Sequence, residues 1–247
     1  MLLKRTLVLT AAVALLMALE PAHADAQTRT RAIRLSNYGN AGTINTTEYG
    51  TVRASPYQGY FAGDPTQPLI DFFCIDFEHY APPLNQNYNV RLTALGTSDI
   101  SMTRHGSESG ALNRYRQIAW LIGQRSSVDA TNWRAIQLAV WQTFSGTCTN
   151  TSRPVYACAQ NGDAYLNSMA AGWRTQASQN YQNYDYGRFK IATGYGADGS
   201  RQEYMYVTPE PETYALMGMG LLTVLFSWYR RRRRGNEPAF ARGLAGF

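Results

Sequence analysis

The chain has 247 residues, 45% of them hydrophobic and 16% charged, with a formal net charge of +6. That length holds one domain or two small ones with a proper core. Lys4, Arg5, Arg242 and the five arginines from 230 to 234 supply eight of the 23 cations, and Glu20 and Glu237 two of the 17 anions, so residues 25–229 carry 15 of each. No basic patch remains there to hold phosphates, which argues against a nucleic-acid partner.

The first element is "MLLKRTLVLTAAVALLMALEPAHA". Lys4 and Arg5 form a positive start, Thr6 to Leu19 is uncharged and mostly apolar, and Ala22-His23-Ala24 is an A-x-A cleavage site. This pattern predicts a secretory signal peptide over 1–24, against the alternative of an uncleaved anchor. "RTRAIRLS" (29–36) and "EYGTVRAS" (48–55) read as strands with Gly and Asn between them. "LIDFFCIDF" (69–77) is apolar on both alternating faces and reads as a central, buried strand; "YNVRLTAL" (88–95) is another.

Helical spacing then takes over. "LNRYRQIAWLIGQ" (112–124) sets Tyr115, Ile118, Ala119 and Ile122 on one side. Asp129 or Thr131 caps the next helix, which runs to about Phe144, and Asp163 is the candidate cap for a third over 162–177. Strands return at "GRFKIAT" (187–193) and "RQEYMYVT" (201–208). Strands, helices, then strands predict an α+β domain: an antiparallel sheet or small barrel with inserted helices.

The C-terminal segment opens with Pro209-Glu210-Pro211. Tyr214 to Tyr229 is uncharged and apolar for 16 residues, then come Arg230, Arg231, Arg232, Arg233 and Arg234. At ~1.5 Å per residue the apolar run spans about 24 Å, short of a ~30 Å hydrocarbon core but acceptable with slight thinning. A transmembrane helix is therefore expected, with the arginines cytoplasmic and the upstream domain outside. Residues 208–234 resemble a PEP-CTERM sorting segment. The resemblance implies export in a Gram-negative bacterium that makes exopolysaccharide, and recognition of the tail by the membrane protease exosortase. An inner-membrane-anchored precursor would then pass to the cell envelope or extracellular space. The prolines keep the junction extended for a protease. The extension Gly235 to Phe247, a cytoplasmic tail, is a departure from that family, and a simple single-pass anchor is the alternative.

Two side chains in the exported part, 25–207, are unexpected. An exported chain meets an oxidising compartment, so cysteines tend to pair. Cys148 and Cys158 lie ten apart and are the favoured pair, which leaves Cys74 alone in a buried strand. Gln137 falls inside the apolar stripe of Trp133, Ile136, Val140, Trp141 and Phe144. One chemistry accounts for both: a thiol held against a glutamine carboxamide, away from water, can displace ammonia and leave an internal thioester. "FFCIDFEHY" followed by "AIQLAVWQTF" resembles the thioester domains of bacterial surface adhesins, also called TQXA domains. That resemblance makes Cys74 the thioester cysteine and Gln137 its glutamine, with Ala139, Val140 and Trp141 completing the helix motif; Ile136 stands where that family often has Thr. It implies one covalent capture of an amine on a partner. Lys190 is the sole lysine of residues 25–208, which limits self-reaction.

Blander readings stand beside this. Gln137 can bond a backbone carbonyl at a strand edge, and Cys74 can be an ordinary core residue. Asp71, Asp76, Glu78 and His79 invite a metal, but strand alternation sets His79 opposite Asp76 and Glu78, so none is expected. No G-x-S-x-G, H-E-x-x-H or Gly-rich phosphate loop is present, and neither enzymatic turnover nor a cofactor is expected. The alternatives to a thioester module are a non-covalent matrix or polysaccharide-binding module, and a secreted enzyme with an unrecognised site.

Overall fold

Strands form where buried and open side chains alternate. The structure, a computed structural model, describes residues 29–39, 42–54, 56–63, 69–208 and 218–228. The expected signal peptide lies outside the described residues. The described residues contain eight strands: β1 (Arg29–Tyr38), β2 (Thr43–Thr46), β3 (Gly50–Arg53), β4 (Tyr57–Phe61), β5 (Ile70–Cys74), β6 (Asn87–Ala94), β7 (Phe189–Gly194) and β8 (Tyr204–Val207). Six close into an antiparallel barrel in the order β1-β4-β5-β8-β7-β6, and β2 and β3 make a separate hairpin. Closure leaves the barrel no free edge. Tyr57, Gly59 and Phe61 of β4 are buried while Gln58 and Tyr60 are partly open, the period-2 pattern of a half-buried strand.

The barrel is filled by rings. Phe61, Phe72, Tyr204 and Tyr206 pack edge-on or tilted at centroid separations of 5.4–6.4 Å, the geometry that aromatic quadrupoles favour. β1 carries an irregularity between Leu35 and Asn37 where it meets β4. Gly59, opposite Leu35, is required there: a Cβ on it would lie 2.4 Å from the Arg34 carbonyl oxygen.

Three helices stand between β6 and β7: α1 (Ala111–Gly123), α2 (Ala130–Gln142) and α3 (Leu166–Asn180). The Asp129 carboxylate accepts from the Asn132 N–H at 2.8 Å and starts α2. Asp163 does not cap α3, which begins at Leu166 without a side-chain cap. Its carboxylate accepts from the Asn45 N–H at 2.8 Å and pairs with Arg134, so it ties the β2–β3 hairpin to α2. Residues Ala135 to Gln142 are buried without interruption, as in a helix covered on every side. On the barrel side Phe73 meets Trp133 and Phe77 meets Trp141, at 5.6 and 5.0 Å. On the other, Gln142 Nε2 donates to the Ala157 carbonyl at 2.7 Å.

The helix 218–228 belongs to a separate unit. Among the described residues no helix is long and apolar enough to cross a membrane. The apolar run expected to do so, Tyr214 to Tyr229, extends at both ends beyond the described residues.

Candidate functional site

Cys74 is the last residue of β5, facing Tyr204 of β8. The chain then leaves the sheet, and the Cys74 thiol donates to the Asp76 carbonyl at 3.2 Å. From α2, Gln137 reaches across: its Nε2 donates to the Cys74 backbone carbonyl at 2.8 Å. Gln137 is 1% exposed and its Oε1 has no partner. A strand end and a helix thus bring Cys74 and Gln137 together, through the backbone carbonyl of the one and the amide N–H of the other. An unpartnered buried amide oxygen costs ~1–3 kcal/mol.

Burial pushes the Cys74 thiol up to about 12, helped by the nearby Asp76 charge. The Trp141 indole N–H and the Asp76 backbone pull weakly the other way; the indole N–H has no partner of ordinary hydrogen-bond geometry. The thiolate, the form of sulfur that attacks a carboxamide, is therefore not what this pocket favours. It favours a protonated thiol and, equally, makes sulfur a poor leaving group. Above Cys74 opens a cleft of about 360 Å³, walled by Tyr49, Tyr57, Phe77 and Trp141.

Asp76 and His79 are not on opposite faces, because the strand ends at Cys74 and the period-2 argument stops with it. His79 Nδ1 lies 3.0 Å from Asp76 Oδ1, and Arg104 Nε makes an ion pair with Oδ2 at 2.8 Å. Arg104 also donates to His79 Nε2 at 3.1 Å. Arginine has no acceptor, so Nε2 accepts and the imidazole proton sits on Nδ1, toward Asp76. This knot, buried at Asp76 and half-buried at His79 and Arg104, fixes the loop that carries Phe77 and Tyr80 over the cleft. Among the described residues no cluster of acids, histidines and cysteines could hold a metal ion.

Two members of this neighbourhood escape the sequence reading. Arg104 lies in a polar stretch with no periodicity. Glu203 is wholly buried and accepts from Tyr115 Oη at 2.6 Å, from Thr193 Oγ1 and from the Arg104 N–H at 2.9 Å. Burial raises its carboxyl above the ordinary value against those hydrogen bonds. A charge directly before the apolar run "YMYV" was the signal available. His105, next to Arg104 in the same polar stretch, is 8% exposed and stacks on Phe144 at 4.1 Å.

Cys148 and Cys158 are joined in a disulfide that closes the loop after α2. Pro209, Glu210, Pro211 and Arg230, Arg231, Arg232, Arg233 and Arg234 lie outside the described residues.

Residues 207–234 match the PEP-CTERM protein-sorting motif. That motif implies an exported protein, handled by exosortase and sorted to the cell envelope or extracellular space. No curated protein matches the sequence. Structural neighbours include pilus adhesins and a thioester domain of a surface protein. The pilus-presented adhesin Cpa is 13% identical with a TM-score of 0.41, over 75% of this chain and 50% of that one. The N-terminal thioester domain of a Clostridium perfringens surface protein is 12% identical with a TM-score of 0.39, over 73% of this chain and 99% of that one. The N-terminal domain of the Streptococcus pyogenes pilus tip adhesin Cpa is 9% identical with a TM-score of 0.39, over 75% and 100%. The chain thus spans about half the length of the first adhesin it matches.

Proposed function

We propose that the exported domain is an adhesive module that stores an internal thioester between Cys74 and Gln137 and uses it once, to attach covalently to an amine on a surface or matrix partner. The observation that carries this reading is the meeting of a buried, unbridged cysteine and a buried glutamine whose carbonyl oxygen is unsatisfied. Bond formation joins Sγ to the carboxamide carbon and releases the amide nitrogen, with the thiol proton, as ammonia. It removes the buried amide N–H groups and the thiol proton, and turns the unsatisfied amide oxygen into a thioester oxygen, a weaker acceptor that costs less to leave unpaired. A leaving sulfur whose proton is held as tightly as that of Cys74 slows hydrolysis, which suits a bond stored until a partner arrives. No turnover follows, because capture consumes the bond.

The test is the intact mass of the purified full-length chain. The reading expects a mass lower by one ammonia, restored in Cys74→Ala and in Gln137→Ala, and uptake of one methylamine by the unaltered protein only. A full mass and no methylamine adduct would end it.

One observation favours a second reading. The Gln137 amide already donates to the Cys74 carbonyl, so the pair can serve as a polar tie between helix and sheet in a module that binds matrix or polysaccharide without a covalent bond. The same measurement separates the two.

A further inference from the structure

The cleft above Cys74 has a floor and a mouth of different chemistry. Cys74 and Trp141 are buried at its base, whereas Tyr38 and Tyr80 on its lining are 41% and 73% exposed. Tyr80 stands edge-on to Tyr49 with centroids 5.9 Å apart. Thr51 and Gln202 set hydrogen-bonding groups among these rings, while both ring nitrogens of His79 are already engaged by Asp76 and Arg104. Its volume, about 360 Å³, lies in the range of small-ligand pockets. Flat rings beside short polar groups suit a pyranose, which has apolar C–H faces and a hydroxyl rim. A lysine side chain is a thin methylene thread and would leave most of those rings uncovered.

The Tyr49 hydroxyl donates to the Glu78 carbonyl at 3.4 Å, which puts that acidic residue beside the mouth. Burial first, then Tyr80, Glu48, Glu78 and Asp76, hold the hydroxyl above its ordinary value. Asp76 is already paired with Arg104, so Glu48 and Glu78 are the carboxylates left to favour a cation there. Arg53 also lines the cleft, with its guanidinium 4.0 Å from the Tyr38 ring centroid.

We propose that the cleft admits an amino sugar of a polysaccharide and that the free amine of that sugar is the nucleophile that opens the Cys74–Gln137 bond. The inference rests on the thioester reading. The amine nitrogen adds to the acyl carbon of residue 137, the carbon–sulfur bond breaks, and a proton from nitrogen passes to sulfur. The products are a Cys74 thiol and an amide linking residue 137 to the sugar.

The test uses the full chain in detergent and follows covalent adducts by intact mass. Three amines are compared at equal concentration: a glucosamine tetramer, methylamine and a short lysine-containing peptide. The tetramer is expected to react about tenfold faster than methylamine, the gain available from one well-placed ring contact. Tyr80→Ala should shrink that ratio severalfold, a comparison that cancels the difference in amine basicity. The fully N-acetylated tetramer, which has no amine, should slow methylamine uptake. A tetramer no faster than methylamine overturns the inference while leaving the thioester intact. A lysine peptide that outpaces the tetramer overturns it in favour of a protein partner. An absent ammonia deficit removes the thioester itself, and covalent sugar capture with it.

Discussion

Gln137→Met keeps the length and apolar stem of the side chain and removes its amide. Without a thioester, the change loses one hydrogen bond to the Cys74 carbonyl, worth ~1 kcal/mol net, and strands that carbonyl. It also removes the unsatisfied Oε1, so the net cost is roughly 0–2 kcal/mol. With a thioester the amide nitrogen has already left, and the change instead deletes a cross-link between residues 63 apart in sequence. The chain-entropy treatment of a loop that long gives about 4 kcal/mol. At ~3 °C per kcal/mol for a domain of this size, the two cases predict losses of at most ~6 °C and of about 12 °C. Thermal unfolding followed by circular dichroism resolves that gap. Methylamine treatment of the unaltered protein cuts the same cross-link and should produce a similar loss. Cys74→Ala combined with Gln137→Met should cost far less than the sum of the two, since each deletes the one bond. A loss within ~6 °C that methylamine does not reproduce refutes the covalent tie.

Three further outcomes are expected. Replacing both Cys148 and Cys158 by serine opens a loop of separation 10 and should cost about 2.5–3 kcal/mol in denaturant titration; a change below ~0.5 kcal/mol would mean the loop is held by other contacts. Glu203→Ala strands the Tyr115, Thr193 and Arg104 donors and should cost roughly 3–5 kcal/mol, with Glu203→Gln milder; equal losses for the two variants would refute the acceptor role. Hydrogen bonds from Arg153, opposed by burial and supported by His105, lower Glu108 from 4.5 to about 2. Its folded value lies below its unfolded one, so its contribution is present above pH 4.5 and lost as pH falls through about 2. Glu108→Gln should flatten the stability profile in that window, and an unchanged acid limb would show that other carboxylates set it.

Elements with a strong period were legible. The helical stripes around Tyr115 and Trp133 and the two-faced apolar run "IDFFC" stand where spacing put them. β4 was not, because "YQGYF" carries Gly59 at its centre and follows Pro56, which together read as turn chemistry. The need for Gly59 arises from the Arg34 backbone on another strand, a contact that no local pattern encodes. β2, four residues of "TINT", is too short for alternation to register. At the site, Cys74 and Gln137 drew attention as a polar pair in apolar company. Arg104 and Glu203, 99 residues apart, meet only through tertiary folding. Their roles follow from burial, which composition cannot report. Asp76 and His79 were misplaced for a narrower reason: alternation was carried to His79, five residues past Cys74, where pairing with β8 stops.

β8 lies between β5 and β7, and its Tyr204 is the register partner of Cys74. Thr208 is still anchored, through both its N–H and its hydroxyl, to the Arg188 carbonyl, and Pro209 comes next. A chain made from its N-terminus therefore cannot seal the barrel, or build the wall behind the thiol, until nearly the whole domain has emerged. Severing it upstream of residue 208 would unzip the seam between β5 and β7. The barrel tolerates a cut only at its outer margin, so any release of the tail and the integrity of the pocket around Cys74 depend on the same four-residue strand.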